Sequence, residues 1–182
     1  STLECVGSNL MDDPAIAGLA LNFRDVSERK ALEEQLRKLA FHDPLTLLAN
    51  RSLFWNRVEH ALTLAQRSQQ QVAVMFLDLD NFKNVNDSLG HDTGDRLLQA
   101  AAQRLVKSTR PSDTVARLGG DEFAILLEGI GGDTDAERIA LPIGAAFNQP
   151  LLVDGRETEA SASIGVACSR PGDDAEQLLR NA

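Results

Sequence analysis

A mixed α/β (α+β) domain, with helices flanking a central and mainly antiparallel sheet, is the fold class predicted for this chain. Three observations predict it. The run "QVAVMFLDLD", residues 71–80, is apolar on both faces, as a central strand covered on both sides must be. Amphipathic helical patterns precede and follow it. The stretch "VARLGGDEFAILLE", residues 115–128, sets two apolar runs around Gly119 and Gly120 and reads as a β-hairpin.

The elements follow in order. "TLECVGSNLM" and "GLALNFRDV" read as two strands, separated by "DDPAIAG", a turn-rich insert with Pro14 and Gly18. Two strands cannot enclose a core, so residues 1–26 are expected to be the tail of a domain that begins before Ser1. "DVSERKALEEQLRKLAFHD" reads as a helix. Asp25 and Glu28 have capping-box spacing, and Leu32, Leu36 and Leu39 fall on one stripe. Residues 27–41 are then either a surface helix on its own domain or a short two-chain coiled coil linking modules.

Residues 42–182 read as one compact unit. "SLFWNRVEHALTLAQRS" is a helix burying Phe54, Val58, Ala61, Leu62 and Ala65. After the central strand, "TGDRLLQAAAQRLVKS" is a second helix, with Leu97, Leu98, Ala101 and Leu105 inward. The hairpin comes next, and then "DAERIALPIGAAF", a helix that Pro142 should kink or divide. "ETEASASIGVACS" alternates as a half-buried strand does. The order β-α-β-β-α-β is that of the ferredoxin-like, palm-type arrangement.

Composition narrows the function classes. A chain of 182 residues with 43% hydrophobic and 25% charged residues is an ordinary globular protein. Its net charge of −9 repels polyanions, which excludes a nucleic-acid groove but admits a small nucleotide neutralised by a bound metal ion. Cys5 and Cys168 lie far apart without metal-type spacing, which points to reduced structural thiols and a cytoplasmic setting. No apolar run is long enough to span a membrane, so no membrane contact is expected from this segment.

Charge is concentrated where strands end. Asp78 closes the central strand, while Asp121 and Glu122 sit at the hairpin tip. In a ferredoxin-like sheet the central strand lies beside the hairpin strands, so the three carboxylates approach one another and repel. A hard divalent cation resolves that repulsion, and Mg²⁺ takes one or two carboxylates plus substrate phosphates. Gly119 and Gly120 would let a bulky ligand lie against bare backbone. The competing reading is an ordinary Gly-Gly-Asp hairpin turn with no ligand.

"RLGGDEF" resembles the signature of GGDEF domains, the diguanylate cyclases. "HDPLTLLANR" is similar to the family's D-x-L-T-G-L-x-N-R segment, and "DLDNFKNVNDSLGHDTGD" to its D-x-D-x-F-K-x-I-N-D-x-x-G-H-x-x-G-D segment. "SASIGVA" resembles the strand after the third helix. The likeness runs from residue 41 to residue 182 in order and spacing. Residues 1–26 resemble the last strands of a PAS sensory domain, and residues 27–41 its linker.

The resemblance implies condensation of two GTP into cyclic di-GMP with loss of two pyrophosphates, in a homodimer joined through the linker helix. It implies Mg²⁺, or Mn²⁺, held by Asp78, the Leu79 carbonyl and Asp121, which stands where many members have Glu. Glu122 would be a second carboxylate at the metals or the base for the 3′-hydroxyl. Lys83 would neutralise phosphate charge, and the backbone of Asn81 and Phe82 would cradle the phosphates, the Phe82 side chain being core. Asn86 and Asp95 would read guanine; His91, between them, is either a site residue or a local structural hydrogen-bonder. Arg110 and Asp113 of "RPSD" match the family's inhibitory R-x-x-D site for product, although the same residues suit a helix stop.

Two departures from the family pattern stand out. Leu47 replaces the usual Gly, which implies a strained or remodelled turn. The final helix carrying a Lys and an Arg for the phosphates is expected to be missing from a chain that reads "LLRNA" at its end. Three function classes follow: an active cyclase; a non-catalytic GTP- or cyclic di-GMP-binding module controlling an attached phosphodiesterase; and an intramolecular nucleotidyl cyclase or polymerase-palm relative. Both turn carboxylates are present, which favours the first.

Overall fold

The structure is a computed structural model that describes residues 1–10, 18–153 and 155–182. It divides into two units, Ser1–Ala40 and Phe41–Ala182. Most of the predicted insert "DDPAIAG", with Pro14, lies outside the described residues.

In the first unit, β1 (Leu3–Leu10) pairs antiparallel with β2 (Gly18–Asp25), Leu3 opposite Asp25 and Leu10 opposite Gly18. Helix α1 (Ser27–Phe41) buries no side chain, and Leu32, Leu36 and Leu39 stay 56%, 58% and 68% exposed. Its start differs from the predicted capping box by one residue. Lys30 N–H bonds the Val26 carbonyl at 3.0 Å, so Val26 is the cap. Asp25 precedes it and accepts from Ser27 N–H at 2.8 Å instead.

The second unit holds α2 (Arg51–Ser68), β3 (Gln71–Leu79), α3 (Phe82–Leu89), α4 (His91–Ser108), β4 (Thr114–Gly119), β5 (Glu122–Ile130), α5 (Asp133–Phe147), β6 (Leu151–Val153), β7 (Arg156–Thr158), β8 (Ala162–Cys168) and α6 (Ala175–Asn181). The main sheet has the order β4-β5-β3-β8 with every neighbouring pair antiparallel, the ferredoxin-like topology. The central strand adjoins only one strand of the hairpin: β5 pairs with β3, and β4 forms the edge.

Side-chain alternation along β3 explains the two layers. Ala73, Met75, Leu77 and Leu79 face α4 and α5 with Phe123, Ile125 and Leu127 of β5. Val72 and Val74 face α2 and α6 with Ala124 and Leu126. A strand buried on both faces must be apolar along its buried length, as β3 is from Val72 to Leu77.

Four elements differ from expectation. Helix α5 is not divided at Pro142, which is solvent-exposed while Ala136, Ile143 and Phe147 hold the helix to the core. The hydrogen bond that proline removes is therefore lost on the wet side. The predicted strand "ETEASASIGVACS" splits into β7, paired with β6, and β8 in the main sheet. Helices α3 and α6 had no predicted counterpart; α6 carries a capping box between Asp174 and Gln177. Among the described residues no helix is long and apolar enough to cross a membrane.

Candidate active site

The end of β3 and the hairpin tip are brought together. Asp78 stands directly opposite Glu122 in the β3–β5 register, and Leu79 N–H points at the Asp121 carbonyl at 3.4 Å. Asp78 is exposed rather than buried, so its position costs less than a carboxylate sealed at a strand end. Its carboxyl is still held above the usual range, by partial burial first and then by the charges of Asp121, Glu122 and Asp80. Like charges opposed across a strand pair destabilise a sheet, and a cation between them reverses the sign.

No three His, Cys, Asp or Glu side chains among the described residues close on a single point that could hold a metal. The donor set implied by the sequence is smaller: two carboxylates, Asp78 and Asp121, and the Leu79 carbonyl, all hard oxygens that suit Mg²⁺. These residues fit such an ion. Asp78 and Glu122 also line a cleft of about 570 Å³ with Arg51, Leu118, Ser163 and Gly165.

The turn is shaped by its glycines. Gly119 and Gly120 have φ of 146° and 51°, and a side chain on either would meet nothing within 4 Å. Glycine is thus required by the backbone, and open space lies beside it, as a ledge for a ligand needs. A register shift between Arg117 and Gly119 makes a bulge that re-aims the tip.

Asp80, the second carboxylate of "DLD", has a different fate from Asp78. Ser161 and Ser163 of the β8 edge donate to its two oxygens at 2.6 and 2.7 Å. Its carboxyl lies below the usual range for that reason. Asp80 N–H also bonds the Ser161 carbonyl at 2.9 Å, so the residue fastens the loop that leads into α3.

In that loop Asn81 is left-handed at φ 59° and caps α3 with no side-chain bond to the helix backbone; its carbonyl takes the N–H groups of Asn84 and Val85, so those of Phe82 and Lys83 keep no helical partner. Lys83 is exposed on the first turn, while the Phe82 ring packs into the core, as expected for that side chain. Asn86 lies on α3; His91 and Asp95 are exposed on the first turns of α4. Asn86 Oδ1 is buried with no hydrogen-bond partner.

Arg110 and Asp113 form a closed turn after α4. Asp113 accepts from Arg110 N–H at 2.9 Å, and Asp113 N–H bonds the Arg110 carbonyl at 3.0 Å. Both residues line a separate cleft of about 520 Å³ with His42, Leu47 and Arg57. Leu47 is indeed left-handed, at φ 62°, and 75% exposed, so the turn is strained rather than remodelled.

Three supports of the site carried no assigned role in the sequence. One is Arg51, 3.5 Å from Glu122; both side chains are exposed, so the pair adds little stability. The others are Asp43 and Arg117. The Arg117 guanidinium bonds both Asp43 oxygens at 3.1 Å and the Gly120 carbonyl at 3.0 and 2.8 Å. It ties the turn to the segment before α2. Their signal was in plain view, since both residues stand inside the quoted motifs.

Arg117→Ala is expected to cost about 2–3 kcal/mol, because it leaves a largely buried carboxylate without its cation, held by Thr46 alone. Burial raises the Asp43 carboxyl, but bonds from Thr46 and Arg117 outweigh it and hold the group below the usual range. A depressed folded value means that this stabilisation is complete above the unfolded value of about 4 and lost as pH falls through the folded one. Denaturant titrations from neutral to acid pH should show the gap between wild type and variant narrowing. A constant gap contradicts the assignment.

Comparison with known proteins gives the family and the fold. Residues 40–182 match the family model described as diguanylate cyclase, GGDEF domain. The chain is 47% identical over 129 residues to diguanylate cyclase TpbB of Pseudomonas aeruginosa, covering 70% of this chain and 30% of that protein. It is 45% identical over 139 residues to the bifunctional diguanylate cyclase/cyclic di-GMP phosphodiesterase MucR of the same organism, covering 76% of this chain and 20% of MucR. It thus spans under a third of these relatives. A solved structure of an N-terminally truncated TpbB from Pseudomonas aeruginosa, comprising only the GGDEF domain, superposes with a TM-score of 0.73 at 44% identity, over 76% of this chain and 82% of that one. With the ferredoxin-like sheet, the opposed carboxylates and the family match in agreement, this chain belongs to the GGDEF-domain diguanylate cyclase family.

Proposed function

We propose that residues 42–182 act as a diguanylate cyclase, joining two GTP into cyclic di-GMP and releasing two pyrophosphates. The observation that carries this reading is the opposition of Asp78 and Glu122 beside a glycine ledge bearing Asp121. Mg²⁺, or Mn²⁺ in its place, would be held by Asp78, the Leu79 carbonyl and Asp121, and would supply charge neutralisation at the phosphates.

The chain's own groups do the rest. The free N–H groups at the start of α3, near Asn81 and Phe82, face negative charge favourably, and Lys83 adds a cation. Asn86 and Asp95 orient guanine, with His91 alongside. Glu122 serves as a further carboxylate at the phosphates or takes the proton of the attacking 3′-hydroxyl. Each copy holds one GTP, so two copies must face each other, and residues 27–41 join them as a linker following a PAS-like segment, residues 1–26.

Full-length protein with GTP and Mg²⁺ tests this reading. Cyclic di-GMP with pyrophosphate is the expected outcome. Binding without turnover favours a non-catalytic regulatory module attached to a phosphodiesterase. A product from a single nucleotide contradicts both.

Arg110 and Asp113 are proposed to grip the product and slow the enzyme. Asp113 closes the turn through backbone bonds while Arg110 lines the open cleft with Arg57. Arg110→Ala should leave the initial rate near wild type and raise the inhibitory concentration of cyclic di-GMP by about tenfold or more. Progress curves with added product measure this. Unchanged inhibition reduces Arg110 to a helix stop.

A further inference from the structure

The α3–α4 pair contains an unexplained combination. Glycine is a poor helix residue, yet Gly94 is buried within the first turns of α4. Asn86 Oδ1 on α3 is buried without a partner, although buried polar atoms are nearly always paired. The two features are the same place. A Cβ on Gly94 would collide with Asn86 Oδ1 and stand 2.9 Å from its Cγ and 3.3 Å from the Phe82 ring.

We infer that Gly94 is a positioning residue for guanine recognition: its bare backbone is the cradle in which the Asn86 amide is seated, and any side chain there turns the amide away from the base. This rests on the proposal that Asn86 reads guanine. Physically, Oδ1 lies against the α-carbon hydrogens of Gly94, a weak donor that only a close backbone approach offers. Seating one arm of the amide fixes its plane and leaves Nδ2 as the arm for a ligand. Phe82 closes the other side of the cradle from the core. Asp95 follows Gly94 directly, so the same turn of α4 places both residues proposed to read the base. A polar side chain pinned on one arm discriminates better than a free one, because less rotamer freedom is lost on binding.

The test uses the full chain and two probes, the α,β-methylene analogues of GTP and ATP with Mg²⁺, read by calorimetry. Gly94→Ala should weaken the guanine analogue by about tenfold or more and leave the adenine analogue almost unchanged. Asn86→Ala should do the same, and the double variant should be no weaker than the worse single, since both remove one interaction. Unchanged guanine affinity in Gly94→Ala, or losses that multiply in the double variant, overturns the inference while the Asn86 reading stands. If Asn86→Ala itself keeps the guanine preference, the underlying reading fails and this inference falls with it. Should Gly94→Ala not fold, Asn86→Ser/Gly94→Ala, which removes the colliding amide, must recover the melting temperature; a double variant that stays unfolded also overturns the cradle.

Discussion

Asp121→Ala is expected to abolish condensation, lowering turnover by ~10²–10³-fold or more, the usual scale for removing one group that stabilises developing phosphate charge. The fold should survive. The turn is set by the backbone of Gly119 and Gly120 and by the Arg117 bonds to the Gly120 carbonyl, none of which uses the Asp121 side chain. Glu122→Ala should be similarly inactive, and its exposed pairing with Arg51 means little stability is lost with it. Asp78→Asn separates charge from shape. Its carboxyl is raised by burial and by Asp121, Glu122 and Asp80, so the neutral amide should melt higher than wild type without ligand while losing turnover. Thermal melts and a pyrophosphate-release assay check both arms. Near-normal rates in Asp121→Ala refute its role, whatever the family resemblance.

Replacing Leu32, Leu36 and Leu39 together with Asp is the second large effect. Helix α1 buries nothing in a single chain, and its apolar stripe stands open to solvent. About two heptads give a marginal seam, so three charges at its core should dissociate it. On the proposed reaction two nucleotides meet on two facing copies, so the rate per subunit should fall at least about tenfold and recover as protein concentration rises. Sedimentation across concentrations, read beside turnover, measures both. A monomeric variant with an unchanged rate per subunit contradicts the linker role.

Much of this molecule was legible in its residues. The central strand, the hairpin and the four long helices follow from periodicity, because a buried face forces apolar residues to recur at fixed spacing. What escaped was of another kind. Helix α3 is short and follows a left-handed Asn81, so it offers too few turns for a periodic pattern. That α5 runs undivided through Pro142 escaped because sequence alone does not show that the missing bond faces water. The seam between β7 and β8 is set by pairing partners, not by alternation. In the site, Asp78, Asp121 and Glu122 stood out because charges at strand ends are conspicuous. Asp43, Asp80 and Arg117 did not, since their roles lie in long-range bonds to a strand edge and a turn. Asp80 is the instructive case: two residues from Asp78 in sequence, it is turned to Ser161 and Ser163 at the start of another strand.

The most direct measurement is anomalous scattering from crystals of the full chain grown with Mn²⁺ and a non-reacting GTP analogue. A manganese peak bounded by the Asp78 carboxylate, the Leu79 carbonyl and the Asp121 carboxylate, next to the analogue's phosphates, is the predicted result. Nucleotide bound with its phosphates away from these oxygens, and no manganese between β3 and the turn, would contradict the account.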